Sequence, residues 1–160
     1  MSAIYIDADA CPVKGEAEEI ASRHQMPLIL VTNGGIRPSP NPLVQLVIVA
    51  EGPDVADMHI SDHAGVGDIV VTADIPLAAR VLARGAAAIR HNGDVFTIDN
   101  IGTQLANRDL MADLRAADPF MQQSAKKNAG GAAFSNKDRS RFRNALEAEI
   151  RKTASESSTA

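Results

Sequence analysis

The sequence predicts an α/β fold: three layers, α/β/α, around a mainly parallel central sheet, with one further helix at the C-terminal end. Two observations point there. Short, unbroken apolar runs (Ile4–Ile6, Leu28–Thr32, Val44–Ala50, Ile69–Ala73) alternate with segments whose apolar residues recur at helical spacing. Strands that are apolar on both faces belong to a parallel sheet covered by helices on each side.

The elements follow in order. Ile4–Ile6 is a strand that stops at Asp7, and Pro12 stands in the first turn of the next helix. Val13, Ala17, Ile20, Ala21 and His24 give that helix one buried stripe. Leu28–Thr32 is the second strand, ended by Asn33-Gly34-Gly35, and a loop with three prolines runs through Pro42. Val44–Ala50 is the third strand. Gly52 and Pro53 break it, and Asp54 is the expected N-cap of a helix reaching about Ala64. Ile69–Ala73 is the fourth strand, with Asp74 at its end. Pro76 opens a helix carrying Leu77 and Val81, and Gly85 closes it. Ala86–Arg90 and Val95–Ile98 flank Asn92-Gly93, a hairpin signal. Asn100 is expected to cap a helix with Ile101, Leu105, Met111 and Leu114, stopped before Pro119.

Residues 1–152 form one expected domain. Within it, 120–135 is a Gly/Ala/Lys linker and 136–152 a C-terminal helix with the stripe Phe142, Leu146, Ile150. Residues 153–160 are an expected disordered tail. With aromatics at 3% and no Trp, the core must rest on Ala, Val, Ile and Leu. Cys11 is the only cysteine, which excludes an internal disulfide and a cysteine zinc cage. No apolar run approaches the roughly 20 residues of a membrane span, and the N-terminus lacks the pattern of a signal peptide. The expectation is a cytoplasmic protein with no membrane partner.

The net charge of −4 hides an asymmetry: residues 1–119 carry eight Lys/Arg against sixteen Asp/Glu, residues 120–152 eight against three. An acidic body beside a basic segment suits a metal site next to a polyanion-holding arm; a solvated basic helix accounts for the same charges.

In a parallel sheet, ligands bind beyond the C-terminal strand ends. That rule singles out Asp7, Asn33, Glu51 and Asp74. Asp9, two residues beyond Asp7, can aim at the same point, and Asp57 falls in the first turn of the intervening helix. Carboxylates gathered this way repel one another unless a cation sits between them, and oxygen-only ligation favours Mg²⁺ or Mn²⁺. Asp7, Asp9, Asp57 and Asp74 are the candidate metal-binding and catalytic residues. Asp68 precedes its strand, at the wrong end of the sheet, and reads as a turn residue. Cys11 reads as a small packed thiol, since no histidine spacing delivers a base. Arg37 and the Asn33 loop are candidate phosphate contacts, as are Lys137 and Arg139, with Arg141 and Arg143, on the last helix.

The block Tyr5-Ile6-Asp7-Ala8-Asp9-Ala10-Cys11-Pro12-Val13 resembles the YaiI/YqxD family of uncharacterised bacterial proteins. The resemblance continues in Val55-Ala56-Asp57, in Gly67 through Ala78, and in Asp138-Arg139 with Phe142. That family is similar to PIN-like and NYN-type domains, mostly metal-dependent ribonucleases. The resemblance implies a PIN-like fold, with Asp7, Asp57 and Asp74 at the three acidic places, Asp9 as an added acid, and Asp54 or Asp62 as replacements for Asp57. It implies a Mg²⁺- or Mn²⁺-dependent ribonuclease or phosphodiesterase acting on RNA or another phosphodiester. Two alternatives stand beside it. One is a haloacid-dehalogenase-type phosphatase with Asp7 as nucleophile, disfavoured because no Lys lies between Lys14 and Lys126. The other is a non-catalytic RNA- or protein-binding adaptor, for which the scarcity of aromatics argues against base stacking. The sequence leaves the oligomeric state open.

Overall fold

The computed structural model describes residues 2–52, 54–117 and 134–158. Among them lie six strands in one sheet: β1 (Ile4–Asp7), β2 (Leu28–Thr32), β3 (Val44–Ile48), β4 (Ile69–Val71), β5 (Ala87–Ile89) and β6 (Val95–Phe96). The strand order is β3-β2-β1-β4-β5-β6, parallel throughout except for the β5–β6 hairpin. β1 is therefore central, with Ile4 opposite Leu28 on one side and Ile69 on the other.

The helices are α1 (Lys14–Arg23), α2 (Val55–His63), α3 (Ile75–Ala83), α4 (Ile98–Ala117) and α5 (Asn136–Ser158). The alternation of β1 divides the core between them. Ile4 and Ile6 pack with Ala17, Ile20 and Ala21 of α1 and with Phe142, Leu146 and Ile150 of α5. On the opposite face Val31, Val70 and Ala88 pack with Ile60 of α2 and with Leu77, Ala78 and Val81 of α3. This is the expected three-layer α/β/α arrangement.

Boundaries shift where local geometry overrides pattern. β3 stops at Ile48 and β4 at Val71, each two residues early, and α1 starts after Pro12, with Val13 at its N-cap. Asp54 occupies the N-cap position of α2 but in left-handed conformation, φ 66°, with no side-chain capping bond. α4 starts at Ile98, ahead of Asn100. Its cap is reciprocal: Asn100 N–H donates to Thr97 Oγ1, and Thr97 N–H donates to Asn100 Oδ1. α5 continues to Ser158, so residues 153–158 extend a helix where the sequence suggested a disordered tail. Most of the expected linker, residues 120–133, and the side chains of Met111 and Leu114 lie outside the described residues.

α5 docks along α1 through Arg139, which donates to Pro12 O and Glu16 at 2.9 Å, Arg143 on Glu19 at 3.1 Å, and Glu147 on Arg23 and His24. Its N-terminal half also abuts the β5–β6 turn. A Cβ at Gly93, whose φ is +94°, would stand 2.6 Å from the carbonyl carbon of Arg141, so this turn needs glycine for conformation and for space. Arg141 pairs with Asp94 there at 2.9 Å. No helix among the described residues is long and apolar enough to cross a membrane.

Candidate active site

Parallel strands β1, β2, β4 and β5 end on the same edge of the sheet, and their exits form an acidic crest. Asp7 is the last residue of β1, registered against Val31 of β2. The single 3₁₀ turn Ala8–Ala10 then brings Asp9 round toward the exit of β2. There the Asp9 carboxylate accepts the Thr32 hydroxyl and, at 2.9 Å, the Asn33 N–H. Both of its oxygens therefore hold the β2 exit in place.

Asp74 follows β4 and is the N-cap of α3, its carboxylate accepting the Leu77 N–H at 2.9 Å. Its own N–H donates to Thr72 Oγ1 at 3.0 Å. The first bond fixes the side chain at the crest and the second the main chain beneath it. Asp57, the third residue of α2, is only 9% exposed and lies within hydrogen-bonding reach of Asp74. Asp54 stands beside it. Asp62, near the other end of α2, is exposed and lines neither recess at the crest, whereas Asp54 and Asp57 line the same one.

The electrostatics follow from this crowding. Burial pushes the Asp57 carboxyl up from 3.8 to about 6, and the charges of Asp74, Asp7 and Asp54 add to the rise. Asp7 is raised as well, first by burial, then by Asp9 and Asp74. Asp7 and Asp57 thus stand under a field that a cation would relieve. The donor chemistry, carboxylate oxygens alone, fits a hard divalent ion. Among the described residues, however, no three Asp, Glu, His or Cys side chains are already closed around a common metal position.

Asp7 is shared by two recesses. One, of about 190 Å³, is lined by Asp7, Asp9, Asn33, Asp54 and Asp57. The other, of about 290 Å³, is lined by Asp7, Thr72, Ala73, Asp74 and His91. A larger recess, about 600 Å³ between α1 and α5, lies away from the crest, and its Arg23, His24, Arg143 and Glu147 are already joined in ion pairs. The crest is the candidate site.

Of the sequence candidates, Asp7, Asp57 and Asp74 converge, with Asp9 and Asn33 alongside. Arg37 is exposed on the β2–β3 loop, and Lys137 is exposed on the first turn of α5. Arg139 is committed to Glu16 and Pro12 and stacks over Phe134 at 5.1 Å, so its guanidinium serves the α1–α5 contact. Glu51 is exposed and makes no bond among the described residues. Cys11 is buried, and burial raises its thiol to about 11, which leaves it an inert packed group. Asp68 is the turn residue expected, accepting the N–H groups of Ala3 and Gly65 at 2.9 Å.

The residue that sequence reasoning passed over is His91. It lies two positions beyond β5, and the strand-end rule that found Asp7 and Asp74 would have found it had the parallel pairing of β5 been foreseen.

A family model described as "Uncharacterized BCR, YaiI/YqxD family" matches residues 5–152. A UPF0178 protein of Roseobacter denitrificans is 59% identical over 154 residues, covering 96% of this chain and 98% of the relative. One from Ruegeria pomeroyi is 58% identical over 94% of this chain and 95% of its own. A more distant one, from Rhodopseudomonas palustris, is 47% identical over 96% and 93%. No solved structure matches the chain.

Proposed function

From the premise that the chain belongs to the YaiI/YqxD family, we propose that it is a divalent-metal-dependent phosphodiesterase acting on RNA or a related phosphodiester, with its centre at Asp7, Asp57 and Asp74. The observation that carries this reading is the convergence of these three carboxyls at the exits of two adjacent parallel strands, in a cleft whose charge is uncompensated. A structural role alone gives no account of Asp57, because a buried carboxyl pressed against two others destabilises the fold.

Asp7, Asp57 and Asp74 would hold Mg²⁺ or Mn²⁺ through their carboxylate oxygens. When bound, the ion supplies an activated water and offsets charge on the phosphoryl oxygens. The chain's own residues do the rest. Asp74 is held by its cap to Leu77, and Asp9 fixes the Asn33 end of the β2–β3 loop, on which Arg37 is exposed. Asp57 gives up its proton as pH rises through about 6, so its ligating form dominates at neutral pH. With Arg139 engaged in the α1–α5 contact, Lys137, exposed on the first turn of α5, is offered as the cation that meets a phosphate.

The test is cleavage of a labelled single-stranded RNA with Mg²⁺ or Mn²⁺ by wild type and Asp7→Ala. Metal-dependent cleavage that drops by about 10² or more in the variant is expected. Full activity in Asp7→Ala would refute the assignment.

A further inference from the structure

Helix α2 carries His59 and His63 one turn apart, a spacing that puts both on the same face. Their rings stack, with centroids 4.1 Å apart and planes 21° from parallel. His63 is exposed and His59 half-buried, so solvent reaches this face. His63 Nδ1 bonds to the His59 carbonyl oxygen at 2.7 Å. A carbonyl only accepts, so in the neutral ring Nδ1 carries the proton and Nε2 keeps the lone pair. A bond of this kind is what orients a metal-ligating histidine and fixes its tautomer. Asp62, exposed and three residues from His59, adds negative charge beside the pair. Neither histidine lines a recess of the crest.

We propose that His59 and His63 form a second metal site, a two-histidine clamp for a borderline divalent ion of the Zn²⁺ class, which staples the last turn of α2. Two nitrogens bound to one Zn²⁺ at about 2.0–2.1 Å stand roughly 3 Å apart, a span that rings with centroids 4.1 Å apart can supply. Imidazole nitrogen suits Zn²⁺, Ni²⁺ and Cu²⁺, whereas the carboxylates of the crest suit Mg²⁺ or Mn²⁺. The two sites therefore take different ions. Among the described residues no third His, Cys, Asp or Glu closes on the pair, so water fills the other positions and the ion exchanges. The helix has a use for a staple. It is only nine residues long, and Asp54 at its N-cap makes no side-chain capping bond; helices this short are marginal without outside support. An ion held across one turn of the folded helix stabilises it by mass action. The inference is independent of the phosphodiesterase reading and uses none of its carboxyls.

The experiment uses the full chain and Zn²⁺ as the probe, with millimolar Mg²⁺ present to compete at the carboxyls. The imidazole nitrogens of His24, His59, His63 and His91 are followed by long-range ¹H–¹⁵N correlation as Zn²⁺ is added. The expected result is a saturable shift of His59 and His63 together, complete at one ion per chain, with His24 and His91 unmoved. Replacing either ligand, in His59→Asn or His63→Asn, should abolish the shift at the other. The wild-type spectra decide the matter alone should either variant fail to fold. A shift at one of the two histidines without the other, an equal shift at His24 or His91, or undiminished binding in a folded single variant overturns the proposal. The double variant Asp7→Asn/Asp74→Asn separates the two sites: it should keep the histidine shifts in full. Their loss there would place the ion at the crest and overturn the clamp.

Discussion

The replacement Asp57→Asn should stabilise this protein, and the pH dependence of the gain identifies its cause. In the folded chain the Asp57 carboxyl titrates at about 6 against an ordinary 3.8. Between those values the native state binds more protons than the unfolded one, so this group lowers stability as pH rises from about 4, reaching its full effect above about 6. The separation corresponds to at most ~3 kcal/mol, and water entering the cleft brings it nearer ~1–2 kcal/mol. Asparagine keeps the shape and loses the charge. Denaturant melts across this range should show a gain of about 1–2 kcal/mol at neutral pH, or roughly 2–8 °C in Tm for a chain of this size. The gain should vanish below pH 3.8, where the carboxyl is protonated in both states. Mg²⁺ or Mn²⁺ should reverse the ranking, because a ligand bound only by the native wild type stabilises it by mass action. A loss of stability at every pH, or a gain independent of pH, would refute the electrostatic account of the crest.

Other outcomes follow from the frame that holds the crest. Gly93→Ala should cost about 2–5 kcal/mol, from an alanine at φ +94° and from collision with the Arg141 backbone; hydrogen exchange should rise first in the β5–β6 turn. Phe142→Ala, which empties a fully buried site between α5 and β1, should cost about 3–5 kcal/mol in urea melts. Glu147→Gln should cost about 1 kcal/mol at neutral pH, a figure held down by the exposure of Arg23. The His24 hydrogen bond, then the charges of His24 and Arg23, hold the Glu147 carboxyl below 4.5. Its contribution is therefore present above that pH and lost as pH falls through the lower folded value, so wild type and variant should converge in acid.

The layer order and most of the crest were legible in the sequence because they depend on patterns that tertiary structure seldom overrides. Short apolar runs such as Ile69–Val71, bounded by turn residues and rich in β-branched side chains, read as buried strands, and the ligand-binding edge of a parallel sheet then follows, which singled out Asp7 and Asp74. Asp57 came from the family resemblance and from its place in the first turn of α2. What the sequence concealed was commitment. Arg139 and Arg143 look like free cations in a basic segment, but α5 lies against α1, and Glu16 and Glu19 claim them. Asp9 reads as a fourth acid of the crest, and the pattern gives no sign that the 3₁₀ turn also engages it with Thr32 and Asn33. The cap of α4 was misplaced because Thr97 and Asn100 bond reciprocally, and either residue alone reads as a cap. His91 was missed because a hairpin signal drew attention to the antiparallel partner of β5 rather than to its parallel one.

The central claim, a divalent-metal centre at the crest, is tested most directly by calorimetric titration of Mn²⁺ into wild type and into the double variant Asp7→Asn/Asp74→Asn. Asparagine at position 74 still caps α3, so the comparison isolates charge from fold. Saturable binding in wild type that disappears in the variant is the predicted result. Equal binding in both proteins, or none in wild type at millimolar metal with an RNA strand present to complete the coordination, would contradict the account.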